Sequence, residues 1–106
     1  MTCKKCEEAV QPQRIKRPDD LSRAILAAAN AIELGILSYE GAGAWGDPFQ
    51  SIARGDGWGD FVNNYFSCLS CGQWFNLQAE TYHGSGGAFE PVREPAEQIQ
   101  RDVYPT

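Results

Sequence analysis

The sequence predicts an α+β fold: a three-stranded antiparallel sheet covered by one long and one short helix and held by a four-cysteine metal site. Three observations indicate this fold. The only four cysteines form two Cys-x-x-Cys pairs, at residues 3–6 and 68–71. An alanine-rich segment between the pairs has its apolar residues at helical spacing. Apolar and polar residues alternate on both sides of the second pair, as they do in strands.

The two Cys-x-x-Cys pairs are the strongest chemical signal in the chain. Two residues between thiolates let a tight turn direct both sulfurs at one ion, and two such turns supply the four tetrahedral ligands of a structural zinc site. Gly72 follows the second pair and suits the positive φ of such a turn. We therefore predict that Cys3, Cys6, Cys68 and Cys71 bind a structural Zn²⁺.

Three other uses of four cysteines stay open. Disulfides need an oxidising compartment, but the chain does not start with a charged segment and an apolar run, as a signal peptide does. A redox-active Cys-x-x-Cys pair lies at the N-terminus of a helix, near a βαβ pattern. Here there are two distant pairs, and the second half of the chain has a strand pattern. An iron–sulfur site also uses thiolates. Structural zinc fits best, and thiolates kept on zinc indicate a reducing, cytoplasmic location.

Length, composition and charge predict one acidic domain over residues 1–106. The chain is 42% hydrophobic and 22% charged, as folded proteins are, and no apolar run is long enough to span a bilayer. The formal net charge is −5, and four thiolates with one Zn²⁺ make it more negative. This charge disfavours nucleic acid and favours a basic protein partner.

The charged residues 94–106 are predicted to form a terminal helix over 96–103 or a frayed tail.

The long helix is predicted from Leu21 to Leu34. Pro18 opens it, and Asp19 or Asp20 is expected to cap its free N–H groups. Gly35 ends it. Its apolar stripe is predicted to face the sheet. The stripe consists of Leu21, Ile25, Ala28 and Ile32, widened by Ala24, Ala29 and Ala31.

Three strands are predicted in the second half of the chain. They are residues 61–67, 73–82 and 88–92. The middle strand is predicted to bury one face, which consists of Phe75, Leu77, Ala79 and Thr81. Pro91 predicts that the last strand is an edge. Earlier in the chain, residues 7–17 are predicted to be an extended or edge segment, and residues 36–39 a short turn or strand.

Two glycine-rich loops carry tryptophans, and a short helix from Pro48 to about Arg54 is predicted between them. No Gly-Lys-Ser/Thr follows the first loop, as a phosphate loop requires. The second loop lacks the regularly spaced oxygen ligands of a calcium loop. Tryptophans are frequent anchors of protein interfaces. The predicted partner-binding surface consists of Trp45, Asp47, Asp56, Trp58 and Asp60.

No catalytic set is evident in the sequence, and we therefore do not expect an enzyme. His83 is the only histidine, and it lies in a glycine-rich turn where a surface role is common. Glu80 is the nearest carboxylate that could orient it as a general base, as a small hydrolase would need. Cysteines that ligate zinc in a closed site are not free to act as nucleophiles.

A nucleic-acid or transcription module is the alternative function. The zinc site supports it, together with the basic run Arg14–Arg17 and aromatic side chains that can stack on bases. Those aromatic residues are Tyr65, Phe66, Trp74 and Tyr82. A basic run is also common on a solvated surface, and aromatic residues at strand positions commonly pack in the sheet. The net negative charge opposes nucleic-acid binding.

The cysteine pattern resembles the zinc-ribbon group of four-cysteine domains. The matching residues are Cys3, Cys6, Cys68 and Cys71, with Gly72 and the strand that follows it. A plain ribbon lacks the helical residues that lie between the two pairs here. Because zinc ribbons serve many roles, this resemblance implies a structural metal and no particular activity.

Residues 66–75 and 81–84 resemble a second group, small acidic cytoplasmic bacterial proteins. Among these are immunity proteins that neutralise secreted or contact-delivered toxins. The resemblance implies that the chain blocks a basic toxin domain by occlusion, with aromatic anchors and complementary charge. Toxin immunity is the most specific function that the sequence suggests.

Overall fold

The computed structural model describes residues 3–43, 46, 49–53, 58–81, 86–96 and 99. Within them, three helices and five strands follow one another along the chain. They are α1 (Lys4–Ala9), β1 (Gln13–Ile15), α2 (Pro18–Glu33), β2 (Leu37–Ala42), α3 (Phe49–Ala53), β3 (Phe61–Cys68), β4 (Trp74–Glu80) and β5 (Gly86–Val92). Of the helix predicted over residues 96–103, only residues 96 and 99 are described. No helix in the described ranges is long and apolar enough to cross a membrane.

The prediction of a three-stranded sheet is wrong, because the sheet has five strands. All five are antiparallel, in the order β1-β5-β4-β3-β2. The predicted meander β3-β4-β5 forms its centre. The two added strands lie in segments predicted as an extended or edge segment (7–17) and as a short turn or strand (36–39), but not predicted as part of the sheet. They pair with the meander from either side: Gln13 lies opposite Phe89, and Leu37 lies opposite Cys68. These pairings join residues far apart in sequence, so no local pattern predicted them.

Pro91 lies in an inner strand, so the prediction that β5 is an edge is also wrong. β1 pairs with β5 only from Gln13 opposite Phe89 to Ile15 opposite Gly87. Pro91 therefore lies beyond the end of β1, although it still pairs with Phe75 of β4. Because no strand continues on its other side, its missing N–H removes no hydrogen bond there.

Helix α2 begins and ends close to the predicted residues, but its N-cap residue is not an aspartate. Pro18 is its first residue, and Gly35, with φ of 74°, follows its end. The N-cap residue is Arg17. The carboxylate of Asp20 reaches back and accepts hydrogen bonds from the backbone N–H groups of Lys16 at 3.0 Å and Arg17 at 3.1 Å. It thereby satisfies two donors just before the helix.

The core lies between α2 and one face of the sheet. Alanines in the buried stripe of α2, such as Ala24 and Ala28, let the helix approach the strands closely. Phe75, Leu77 and Ala79 face this core, as predicted, while Thr81, just beyond β4, is only partly buried. Aromatic side chains fill the centre, with ring pairs Phe66–Phe89 at 5.9 Å, Phe75–Phe89 at 6.4 Å and Phe49–Phe66 at 5.0 Å.

A short chain of hydrogen bonds attaches α3 to the sheet. Asn64 is fully buried on the core side of β3. Its Oδ1 accepts a hydrogen bond from the hydroxyl of Tyr39 in β2 at 2.9 Å, and that hydroxyl accepts the N–H of Phe49 at 3.2 Å. The polar side chain therefore fixes the first residue of α3 against β2 and β3.

Candidate metal centre

The four cysteines lie together beside the end of β3. Cys3 precedes α1 and Cys6 belongs to it, while Cys68 ends β3 and Cys71 lies in the turn before β4. The Sγ–Sγ distances are 3.7 Å for Cys3–Cys6, 3.6 Å for Cys3–Cys68 and 3.7 Å for Cys6–Cys71. All four sulfurs lie within 4.8 Å of one another. The structure thus brings together the four residues that the sequence predicts as ligands.

These distances fit one tetrahedral ion. Four sulfurs at 2.3 Å from a central Zn²⁺ are about 3.8 Å apart, which is close to the three observed separations. A disulfide bond is about 2.05 Å long, and all four cysteines are free. An iron–sulfur cluster places several irons and sulfides between its thiolates and so needs more room. The site can therefore hold a single metal ion, and four sulfur ligands suit zinc or iron.

Cys6 lies on a helix that Cys3 immediately precedes, where an extended segment was predicted after Cys6. α1 covers Lys4–Ala9, and its lysines, glutamates and alanine are strong helix formers, a signal that the sequence carried. The N–H of Cys3 donates to Sγ of Cys6 at 3.2 Å, and the N–H of Val10 donates to the carbonyl of Cys6 at 2.8 Å. The helix therefore directs the sulfur of Cys6 inward, where the residue is 0% exposed.

The second pair lies in the turn between β3 and β4, as predicted. The N–H of Cys68 donates to the carbonyl of Gln73 at 2.8 Å, and the N–H of Gly72 donates to the carbonyl of Cys68 at 2.9 Å. Gly72 has φ of 79°, the left-handed conformation expected for it. The N–H of Ser70 donates to Sγ of Cys68 at 3.4 Å. These hydrogen bonds hold the turn that carries Cys68 and Cys71.

The two sulfurs of the first pair have opposite electrostatic environments. A hydrogen bond from the backbone of Cys6 lowers the pKa of the Cys3 thiol to about 6, and the thiols of Cys68, Cys71 and Cys6 add to this effect. Burial raises the pKa of the Cys6 thiol to about 12. A bound cation favours the thiolate form of every ligand, so metal binding must remove a proton from Cys6.

The site is closed, because the protein supplies all four ligands of a tetrahedral ion. Catalytic zinc keeps one position for water or substrate, whereas structural zinc does not. Cys71 is the one exposed ligand, Cys3 is partly buried, and Cys6 and Cys68 are buried. The arrangement can therefore link the start of the chain to the β3–β4 turn.

Comparison with protein-family models, with curated proteins and with solved structures finds no match for this chain. Functional interpretation therefore starts from the cysteine geometry and from the surfaces around it.

Two residues of the predicted partner surface, Trp58 and Asp60, are described. Trp58 is partly buried against the core and lines a cavity of about 110 Å³. Asp60 is exposed, and its carbonyl accepts the N–H of Thr81 at 2.8 Å. The other three predicted partner residues lie outside the described residues: Trp45, Asp47 and Asp56. His83 lies outside them as well.

Sequence reasoning missed the basic residues beside Trp58. Lys16 and Arg17 line the same cavity, although the sequence pattern alone indicates only a solvated surface for the run that contains them. The other lining residues are Ile15, Pro18, Leu21, Ala79, Glu80, Thr81 and Gly86. The basic run itself was the available signal, but its position beside Trp58 depends on the pairing of β1 with β5.

Proposed function

We propose that the chain is a small acidic protein-binding domain in which the four cysteines hold a structural Zn²⁺. The observation that carries this proposal is the closed set of four cysteine sulfurs at tetrahedral spacing. Zinc has no redox chemistry and readily takes four thiolates in structural sites. Because such a set leaves no position for substrate, the metal shapes the surface that binds and does not itself react.

The cavity beside Trp58 is the proposed anchor site for the partner. Its volume of about 110 Å³ is well below the roughly 300–1,000 Å³ of typical small-molecule sites. It is comparable to the about 150 Å³ of an engineered cavity that holds one benzene ring. One apolar side chain of a partner fits this space. Trp58 would form its wall beside Lys16 and Arg17, so a partner would place an acidic group next to its apolar anchor. The carboxylate of Asp60 would lie outside the cavity and would suit basic partner residues further out.

Toxin immunity is the specific form of binding that we propose. The net charge of −5 suits electrostatic attraction of a basic toxin domain. Occlusion needs a rigid surface and no catalytic group, and a metal clamp would supply that rigidity.

Co-expression with a toxin-like reading frame next to this gene tests the proposal. We expect the wild-type chain to relieve growth arrest and to form a complex that survives gel filtration. Trp58→Ala and Asp60→Lys should each weaken that complex at least about tenfold, or about 1.4 kcal/mol. Zinc content is measured for each variant to check that it is folded. Because Asp60 is exposed, Asp60→Lys is not expected to disturb the fold, so weaker binding of that variant would reflect the interface. Unchanged affinity in both variants would remove Trp58 and Asp60 from the interface, and the absence of any toxin-like neighbour would contradict the immunity role.

Nucleic-acid binding is a second candidate, supported by one observation. Tyr65 and Trp74 lie on the sheet face opposite α2, only partly buried, with ring centroids 6.3 Å apart. Phe66, in contrast, is fully buried in the core, and Tyr82 lies outside the described residues. Titration of mixed single-stranded DNA and RNA at two salt concentrations tests this function. Tight, salt-sensitive binding that Trp74→Ala abolishes would favour it over protein binding.

A further inference from the structure

Two exposed leucines lie on segments that a backbone hydrogen bond joins beside the end of β3, and neither lines the cavity beside Trp58. Leu34, at the C-cap of α2, is 73% exposed, and Leu69, between the ligands Cys68 and Cys71, is 62% exposed. Among the described residues they are the two most exposed large hydrophobic side chains. We name Leu34 and Leu69 the knuckle patch.

The backbone joins the two leucines into one rigid unit. The N–H of Leu69 donates to the carbonyl of Ile36 at 2.9 Å, and the N–H of Ile36 donates to the carbonyl of Ala31 in α2 at 2.9 Å. Leu34 is thus fixed by the end of a helix, and Leu69 by a turn that contains two metal ligands. Apolar side chains on such a prepared surface lose little conformational entropy when a partner binds.

The charged groups that adjoin Leu34 and Leu69 along the chain favour a basic partner. The last turn of α2 contains Glu33 and no basic residue, and the carbonyls at a helix C-terminus carry partial negative charge. Four thiolates around a divalent ion would add two negative charges beside Leu69. Lys4 and Lys5 of α1 offset part of this charge, but the same helix carries acidic residues as well. A partner that covers the patch is therefore expected to combine apolar and basic side chains.

We propose that the knuckle patch docks a basic amphipathic segment of a partner protein. Its apolar side chains would cover Leu34 and Leu69, and its lysines or arginines would face the C-terminus of α2 and the thiolates. A second copy of this chain is disfavoured, because each copy has a net charge of −5 and like charges repel. The inference rests on the proposed protein-binding function, but it assigns a surface distinct from the cavity beside Trp58.

A labelled synthetic helix with leucines on one face and lysines on the other is the probe. Its affinity for the zinc-loaded full chain is measured by fluorescence anisotropy. We expect the double variant Leu34→Ser/Leu69→Ser to bind it at least about tenfold more weakly than wild type does, a change of about 1.4 kcal/mol. Leu26→Ser is the matched control, because Leu26 also lies on α2 and is 60% exposed. It should bind like wild type.

Two further measurements test whether charge complementarity and an intact fold underlie binding of the probe at the knuckle patch. A probe with glutamates in place of lysines should bind at least about tenfold more weakly, since charge complementarity is lost. Zinc content and thermal unfolding confirm that each variant is folded. Equal probe affinity in the double variant and in Leu26→Ser would overturn the proposal, as would failure of the wild-type chain to bind the lysine probe.

Failure of the probe to bind at the knuckle patch can be distinguished from failure of a toxin to bind at the cavity beside Trp58. Trp58→Ala should leave probe affinity unchanged, so loss of toxin binding in that variant and loss of probe binding in the leucine variants are separate results. Sedimentation of the chain alone provides the last check. A concentration-dependent dimer that the double leucine variant abolishes would assign the knuckle patch to a second copy and overturn the proposal.

Discussion

The two cysteine pairs meet at one centre, yet the chain supports them differently. The second pair lies at the end of the β3–β4 hairpin, which is paired from Phe61 opposite Glu80 to Ser67 opposite Trp74. The first pair lies at the start of a six-residue helix, and helices this short are not stable alone. The hairpin is held by its own backbone pairing, whereas α1 depends on contacts with the rest of the fold.

This difference indicates what a bound metal ion would do. Residues 7–67 separate the pairs in sequence, and closing such a loop costs a few kcal/mol. Structural zinc in zinc-finger peptides contributes about 10–16 kcal/mol near neutral pH, so an ion at this centre has ample free energy to close the loop. The ion should therefore stabilise the first pair and α1 more than it stabilises the hairpin.

Removal of the ion is expected to have the largest effect, and an uneven one. With a chelator present, amide protons of α1 should exchange at least about 100-fold faster, a loss of about 2.8 kcal/mol in local stability. Those of the β3–β4 ladder should change much less, because their partners are strand backbones. Hydrogen exchange followed by mass spectrometry measures both regions in one sample. An equal loss in the two regions, or no loss in α1, would contradict the comparison.

Truncation of one ligand from each pair sharpens the contrast. Cys6→Ala removes a fully buried ligand and leaves the N–H of Cys3 without its acceptor, which adds about 1–3 kcal/mol to the loss of metal binding. Cys71→Ala removes an exposed ligand, whose place at the ion water can take. Cys6→Ala should therefore destabilise the protein by about 1–3 kcal/mol more than Cys71→Ala does.

Denaturant unfolding in excess zinc measures this difference, and competition with a chelator reports metal affinity for the same variants. Equal stability of the two alanine variants would show that burial of Cys6 does not make the first pair contribute more to stability than the second.

Proton release on metal binding should separate the two sulfurs of the first pair. At pH 8 the Cys3 thiol, with a pKa of about 6, has already lost its proton, whereas the Cys6 thiol, with a pKa of about 12, retains it. Because binding requires thiolates, Cys6→Ala should reduce the protons released by about one. Cys3→Ala should leave the number nearly unchanged.

The difference between these variants should shrink as the pH falls through about 6, because Cys3 then also carries a proton to be displaced. Calorimetry in buffers of different ionisation enthalpy counts the protons at each pH. Equal proton release from the two variants at pH 8 would contradict the assigned environments.

The sequence by itself determined the features that depend on local spacing. Paired cysteines indicated a metal site, a 3.6-residue apolar period indicated α2, and alternation with a glycine after the second pair indicated the meander β3-β4-β5. Each of these signals lies within about a dozen neighbouring residues, or in residue types whose chemistry is specific. For α1, the helix-forming residues were present but the predicted metal turn obscured them.

Only the tertiary structure decided how distant segments meet. β1 has a single apolar residue, Ile15, and exists because β5 provides hydrogen-bond partners; β2 likewise depends on β3. The position of Lys16 and Arg17 beside Trp58, and of Leu34 near Leu69, follows from these pairings and from the cap of α2. Backbone pairing between remote residues leaves no local periodicity, so sequence patterns did not predict it.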